Sequence, residues 1–165
     1  MDIQLTLSTD RLSLTPLTTA DAAFIIELVN SEGWLKFIGE RNVHSETEAI
    51  AYIERILSNS NIVYAVVRPT ANSSPIGIIT FIQRAYLDHP DIGFAFLPSV
   101  AGKGYAYEAA NAALEVILAT GKYPQVLATT IPENVNSIKL LEKLGLHFEK
   151  EIDVEKEKLC LFALK

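Results

Sequence analysis

One cysteine, Cys160, stands in a chain of 165 residues, so no intrachain disulfide can form and a thiolate metal site has no ligand set. It lies in an apolar run and reads as a buried structural thiol. The three histidines, His44, His89 and His147, show no ligand spacing, and no metal is expected. No run of about eighteen apolar residues could span a bilayer. The first residues include Asp2 and Gln4, with neither a basic leader nor a small-residue cleavage site, and a cytoplasmic location without membrane attachment is the expectation. Positive charge is also short: 14 Lys and Arg against 20 Asp and Glu give a net charge of −6. That balance argues against nucleic-acid binding, which gathers Lys and Arg on one face. An acidic surface would instead draw in a protonated amine, weakly, because salt screens the field.

What is present fits one domain spanning 1–165, long enough to bury about two thirds of the surface of its unfolded chain. No repeat, low-complexity segment or dividing linker interrupts it. Arg11 to Thr15 alternates like a half-buried strand, closed by Pro16. Thr18 with Asp21 can cap a helix whose buried face is Phe24, Ile25, Leu28 and Val29, and Asn30 to Gly33 ends it. Trp34, Leu35, Phe37 and Ile38 form a short apolar segment. Ser45 with Glu48 makes a capping box for the next helix, through Leu57. Ile62 to Val67 and Ile76 to Ile82 are β-branched strands joined by a Pro-containing loop, and Asp91 to Leu97 is a third. Then come an alanine-rich helix from Tyr105 to Thr120, stopped by Gly121, and a strand at Gln125 to Ile131. A helix from Val135 to Leu144 and strands at Leu146 to Asp153 and Lys158 to Leu164 complete the chain.

The turn between Leu97 and Tyr105 organises the rest. Gly102 and Gly104 lack a Cβ, so the main chain can take unusual dihedrals and a ligand can come close. The helix that opens here has unpaired amides and a partial positive charge at its start, which suits a pyrophosphate. Two familiar phosphate loops do not fit. A dinucleotide fingerprint needs Gly or Ala where Tyr107 stands, and a P-loop needs Gly at Leu97 and Ser or Thr at Gly104.

Gly-Lys-Gly-Tyr-Ala-x-Glu-Ala after a strand resembles the acetyl-CoA loop of the GCN5-related N-acetyltransferases, the GNAT family. Gly104 and Ala106 match its last two fixed positions. Ala101 departs from the Gln or Arg that helps shape the loop at its first. A second block, Thr130 to Gly145, resembles the family's later motif at Asn134, Ser137, Leu140, Glu142, Lys143, Leu144 and Gly145. Thr9-Asp-Arg-Leu-Ser-Leu and Asp91-Ile-Gly-Phe extend the likeness over most of the chain, toward the branch that includes the RimJ/RimL-like ribosomal-protein N-terminal acetyltransferases.

The resemblance implies an α/β fold: a mixed, mostly antiparallel sheet of six to seven strands with about four helices, its strands splayed at the coenzyme site. It implies an acetyl-CoA-dependent N-acetyltransferase acting on a primary amine, a small molecule or a protein N-terminus, by direct attack in a ternary complex. The protein would be a monomer or homodimer. Acetyl-CoA would be held by main-chain groups of Phe96 and Leu97, by Gly102, Lys103, Gly104, Tyr105 and Ala106, and by Asn134 and Ser137. Leu141 occupies the position where the family often has an acidic tyrosine. Ser137 is then the proton donor to the leaving sulfur, or only a capping or coenzyme contact, and Asn134 is a coenzyme ligand, an N-cap or both. Asp91 is the candidate base, or it orients a water or binds the ammonium. Trp34, Phe37 and His44 either shape the acceptor pocket or belong to core and loop. Glu108 reads as a surface or packing acid. Two other classes stay open: a small NAD- or ATP-using protein, and a non-catalytic coenzyme-binding module of the same fold.

Overall fold

The computed structural model describes residues 1–164. Among these residues eight strands form one sheet in the order β1-β2-β3-β4-β5-β6-β8-β7. They are β1 (Leu7–Ser8), β2 (Leu12–Pro16), β3 (Ile62–Pro69), β4 (Gly77–Ile82), β5 (Asp91–Phe96), β6 (Leu127–Thr130), β7 (Leu146–Val154) and β8 (Glu157–Leu164). Every neighbouring pair is antiparallel except β5 with β6, which is parallel. Among the described residues five α-helices flank the sheet: α1 (Ala22–Val29), α2 (Glu32–Phe37), α3 (Glu46–Ser58), α4 (Tyr105–Ala119) and α5 (Val135–Lys143). The sequence pattern leads to seven strands and about four helices. The two-residue β1 is too short to carry a period, and Trp34 to Phe37, expected only as part of a short apolar segment, form α2 together with Glu32 and Gly33. Burial of Trp34, whose indole Nε1 donates to Gly39 O at 3.0 Å, fixes that extra turn of helix.

Two apolar clusters lie on opposite faces of the sheet. Helices α1 and α3 cover one face with Phe24, Ile25, Leu28, Ile53 and Ile56. On the other face α4 packs closely because Ala109, Ala110 and Ala113 put almost no side chain between helix and strands, with Leu114 and Ile117 completing the stripe. The helix starts follow the local chemistry. Thr18 and Asp21 exchange both bonds of a capping box, around a short 3-10 turn that leads into α1. Ser45 Oγ accepts from Glu48 N at 3.1 Å, whereas Glu48 Oε1 reaches back to His44 N at 3.2 Å rather than to Ser45. Asp21, buried, is further tied to Arg68.

The one parallel contact matters most. Strands β5 and β6 are in register only at Asp91 with Leu127, and Leu127 N donates to Pro90 O at 2.9 Å. Beyond that pair the two strands part, leaving a wedge-shaped gap in the middle of an otherwise continuous sheet.

Candidate active site

Hydrogen-bonding direction alternates along a strand, and β5 is paired with β4 along its whole length. Leu97 N donates to Ile76 O at 2.8 Å, so Leu97, Ala95 and Gly93 turn their main-chain groups toward β4. Phe94 and Phe96 therefore turn theirs into the gap, where β6 does not follow. This corrects one expectation: the Leu97 amide is already committed, and Phe94 rather than Leu97 joins Phe96 on the free edge. The alternation rule would have found it, given the register with β4.

After β5 a 3-10 turn at Pro98–Val100 uses the Ala101 amide on Pro98 O at 3.2 Å. The chain then passes through Gly102 and Gly104, both at φ +79°, and enters α4. Glu108 N is the first amide of α4 to find a carbonyl, Gly104 O at 3.1 Å, and no side chain caps the helix. The amides from Gly102 to Tyr107 thus lack hydrogen-bond partners among the described residues, and a Cβ built on Gly102 would meet nothing within 4 Å. A diphosphate fits this cradle: successive donors, an open approach and the positive end of a 15-residue helix. Lys103 is exposed on the same turn.

Arg11, part of the matched segment from Thr9 to Leu14, contacts this loop from outside it. Its Nη1 donates to Lys103 O at 3.1 Å and its guanidinium lies 4.5 Å from the Tyr105 ring centre. Glu108 holds Arg11 in place through Nε at 2.7 Å and also accepts from Thr9. The expectation of a surface or packing acid is thereby refined, since Glu108 anchors the N-terminal segment to the loop. Lys143, at the end of α5, lies 4.1 Å from the Tyr107 ring centre beside the same helix start.

The gap opens into a cleft of about 440 Å³ that reaches both faces of the sheet. From the α5 side it is lined by Asn134, Ser137 and Leu141, and from the other by Trp34, Phe37, Tyr52 and Tyr64. Asn134 Oδ1 accepts from Ser137 N at 3.3 Å, so it does cap α5, and its remaining groups still face the cleft. Leu141 is buried and supplies no proton donor. His44 does not join the lining. Its Nε2 lies 2.6 Å from Glu40 Oε1 on the exposed loop after α2, which removes it from the acceptor pocket.

Asp91 is only 2% exposed and sits where the strands begin to part. Oδ2 accepts from Arg84 Nε at 2.7 Å, while Oδ1 has no donor among the described residues. Burial pushes this carboxyl above its ordinary value, and Arg84 draws it only partly back. Arg84 itself lines the cleft, so the carboxylate lies just behind the wall. Tyr64 is the other perturbed group. Burial, then the neighbouring Tyr52, push its phenol far up, against a smaller opposing pull from Arg41 and Arg84, and it stays protonated.

Among the described residues no group of three or more His, Cys, Asp and Glu could hold a metal, and no helix is long and apolar enough to cross a membrane. A strand edge with free amides, an uncapped helix start and a cleft reaching both faces of the sheet lie together around the gap between β5 and β6. The chain belongs to the GNAT family of acetyltransferases, whose domain model matches residues 11–147. It is 28% identical over 143 residues to the uncharacterised N-acetyltransferase YnaD of Bacillus subtilis, covering 87% of this chain and 83% of that protein. Its fold matches the ribosomal-protein-S5-alanine acetyltransferase of Vibrio fischeri with a TM-score of 0.80 at 18% identity, over 98% of this chain and 96% of that one. It also matches Mycobacterium smegmatis RimJ in complex with CoA-disulfide with a TM-score of 0.79 at 19% identity, over 93% and 81%. The chain is an acetyl-CoA-dependent N-acetyltransferase, and its acceptor is an amine.

Proposed function

We propose that the protein transfers acetyl directly to a primary amine while both substrates are bound, with the coenzyme on the α4–α5 side of the gap and the acceptor on the α1–α3 side. The observation that carries this reading is the single Asp91–Leu127 pair, after which β5 leaves its Phe94 and Phe96 main-chain groups unpaired beside a cleft open to both faces. The coenzyme supplies the activated acetyl group as a thioester. Phe94 and Phe96 hold its extended arm as a strand would, one of these amides polarises the carbonyl, and the amides from Gly102 to Ala106 hold the diphosphate. Lys103 adds charge there, and Asn134 and Ser137 contact the arm from α5.

Asp91, which stands behind Arg84 and does not line the cleft, receives the amine's proton at Oδ1 through an intervening water, since that buried oxygen has no donor of its own. Its raised pKa moves it toward the range in which a base both stays ionised and takes a proton. Ser137 donates toward the departing sulfur. Trp34 and Phe37 form the apolar wall of the acceptor pocket. Protein N-terminal amines and small amines both belong to the acceptor class that the family likeness suggests.

Thermal shift with CoA, acetyl-CoA, NAD and ATP in parallel tests the coenzyme half. Stabilisation by both CoA forms is expected; stabilisation by NAD or ATP alone would reject it. Release of free thiol in the presence of amines tests catalysis, and its absence with coenzyme bound would favour a non-catalytic module.

A further inference from the structure

The acceptor side of the cleft does not share the acidity of the chain. The whole chain has a net charge of −6, yet the charged side chains lining the cleft are two arginines, Arg41 and Arg84, and one acid, Glu157. Arg84 is neutralised from behind by Asp91, Nε to Oδ2 at 2.7 Å. Arg41 is not: no carboxylate lies within ion-pair distance of it among the described residues. The adjacent acid, Glu40, is turned to His44. The Arg41 guanidinium reaches only the carbonyls of Gly39 and Glu40, at 3.5 and 3.4 Å, and sits 5.7 Å from the Trp34 ring centre. Trp34 lines the cleft, so this cation is held at its mouth beside an aromatic wall. Arg41, Arg84 and the Tyr64 side chain line the same hollow.

A second cationic group on the acceptor would enter this hollow against Arg41, with no acid in the lining but Glu157, on the first residue of β8. An anionic group would find a planar guanidinium with donors to spare. The rest of the wall, Trp34, Phe37 and Ile56, suits an apolar body between the two ends.

We infer that the acceptor is a small amino carboxylate of the amino-acid class, its carboxylate held by Arg41 at the mouth and its amine directed inward to the gap. This rests on the transferase reading above and narrows it. The reaction balances as ordinary acyl transfer: the amine nitrogen forms a bond to the acetyl carbon, the carbon–sulfur bond breaks, and one proton leaves the nitrogen as the sulfur gains one. Arg41 takes no part in those steps and serves to bind.

The test follows thiol release by the full chain at fixed acetyl-CoA with matched pairs: L-phenylalanine with phenethylamine, L-leucine with isoamylamine and L-methionine with 3-(methylthio)propylamine. Spermidine and an alanine-initiated peptide amide complete the set. At least one amino acid should exceed its decarboxylated twin by about tenfold or more in kcat/KM, the scale of one charge-assisted hydrogen bond in a cleft. Arg41→Gln should bring that ratio toward one, and Arg41→Glu should invert it. Arg41 is exposed on a loop, so both variants should fold. Preference for spermidine, for the peptide amide or for the decarboxylated twins in the parent protein would overturn the inference and leave the transferase reading standing. So would a ratio unmoved by Arg41→Gln. Turnover of none of these amines, with acetyl-CoA bound, would overturn both.

Discussion

Arg11 Nε and Glu108 Oε1 lie 2.7 Å apart, joining the segment before β2 to the first turn of α4, residues that are 97 positions apart in the chain. Through Arg11 Nη1 the contact continues to the carbonyl of Lys103, in the middle of the glycine turn. Arg11 is exposed and Glu108 partly so, and ion pairs open to solvent contribute between about 0 and 1 kcal/mol. Its consequence should therefore be read on coenzyme binding and not on the fold. Arg11→Met is expected to raise KM for acetyl-CoA several-fold while lowering Tm by no more than about two degrees. Saturation kinetics with acetyl-CoA, set beside a melting curve, check this.

Glu108 gives the same contact a pH signature. Burial pushes its carboxyl up, but hydrogen bonds from Thr9 and Arg11 outweigh burial, and its pKa in the folded protein lies below the ordinary value. A depressed carboxylate stabilises the fold above its unfolded pKa, and that contribution is lost as pH falls through the folded one. The Tm of the parent should exceed that of Glu108→Gln at neutral pH, and the difference should shrink as both are melted in increasingly acidic buffers.

Gly104 adopts φ +79° at the start of α4. A Cβ there would stand 3.6 Å from Arg11 Nη2, an ordinary contact, so the cost of a side chain comes from the dihedral rather than from a clash. Gly104→Ala should destabilise by about 1–2 kcal/mol and weaken CoA binding more than Gly121→Ala, which carries a similar strain at φ +66° away from the loop. Denaturant melts and CoA titration of both variants separate strain from ligand contact.

Asp91 has the opposite sign from Glu108. Because burial holds its carboxyl above the unfolded value, its protonated form favours the folded state, and that contribution is lost as pH rises through the raised pKa. Activity runs the other way, since a base must be ionised. The parent should show kcat/KM climbing through that raised value and then levelling, whereas Asp91→Asn should lose the climbing limb and fall by about a hundredfold or more. A pH–rate profile of the two proteins decides it, with a CoA titration to show that the coenzyme still binds.

Asp21 and Arg68 provide a control far from the chemistry. Asp21 is 5% exposed and is held by both Arg68 and the Thr18 amide. Removing one partner of a buried pair leaves the other uncompensated, so Asp21→Ala should cost about 3 kcal/mol or more without lowering kcat measured well below the melting temperature. Chemical denaturation with an activity assay on the same sample tests both halves.

The local chemistry of this chain was readable directly. The Thr18–Asp21 cap, the Ser45 cap of α3, the alanine stripe of α4 and the Gly102–Gly104 turn each depend on residues a few positions apart, and short-range sterics and hydrogen bonding settle them. The two matched blocks also carried the family, because the coenzyme is gripped mostly by backbone whose course those glycines and helix starts dictate. Other features depended on partners distant in sequence. That Leu97 spends its amide on Ile76 follows from the register of β5 on β4. That Arg11 reaches the carbonyl of Lys103 from 92 positions away, and that Asp91 is buried with one oxygen unpaired, follow from where the sheet brings separate segments. So does the acceptor hollow: its charge is the difference between Arg41, left without an acid, and Arg84, matched by one, and no local pattern records which cation finds a partner once the chain has closed on itself.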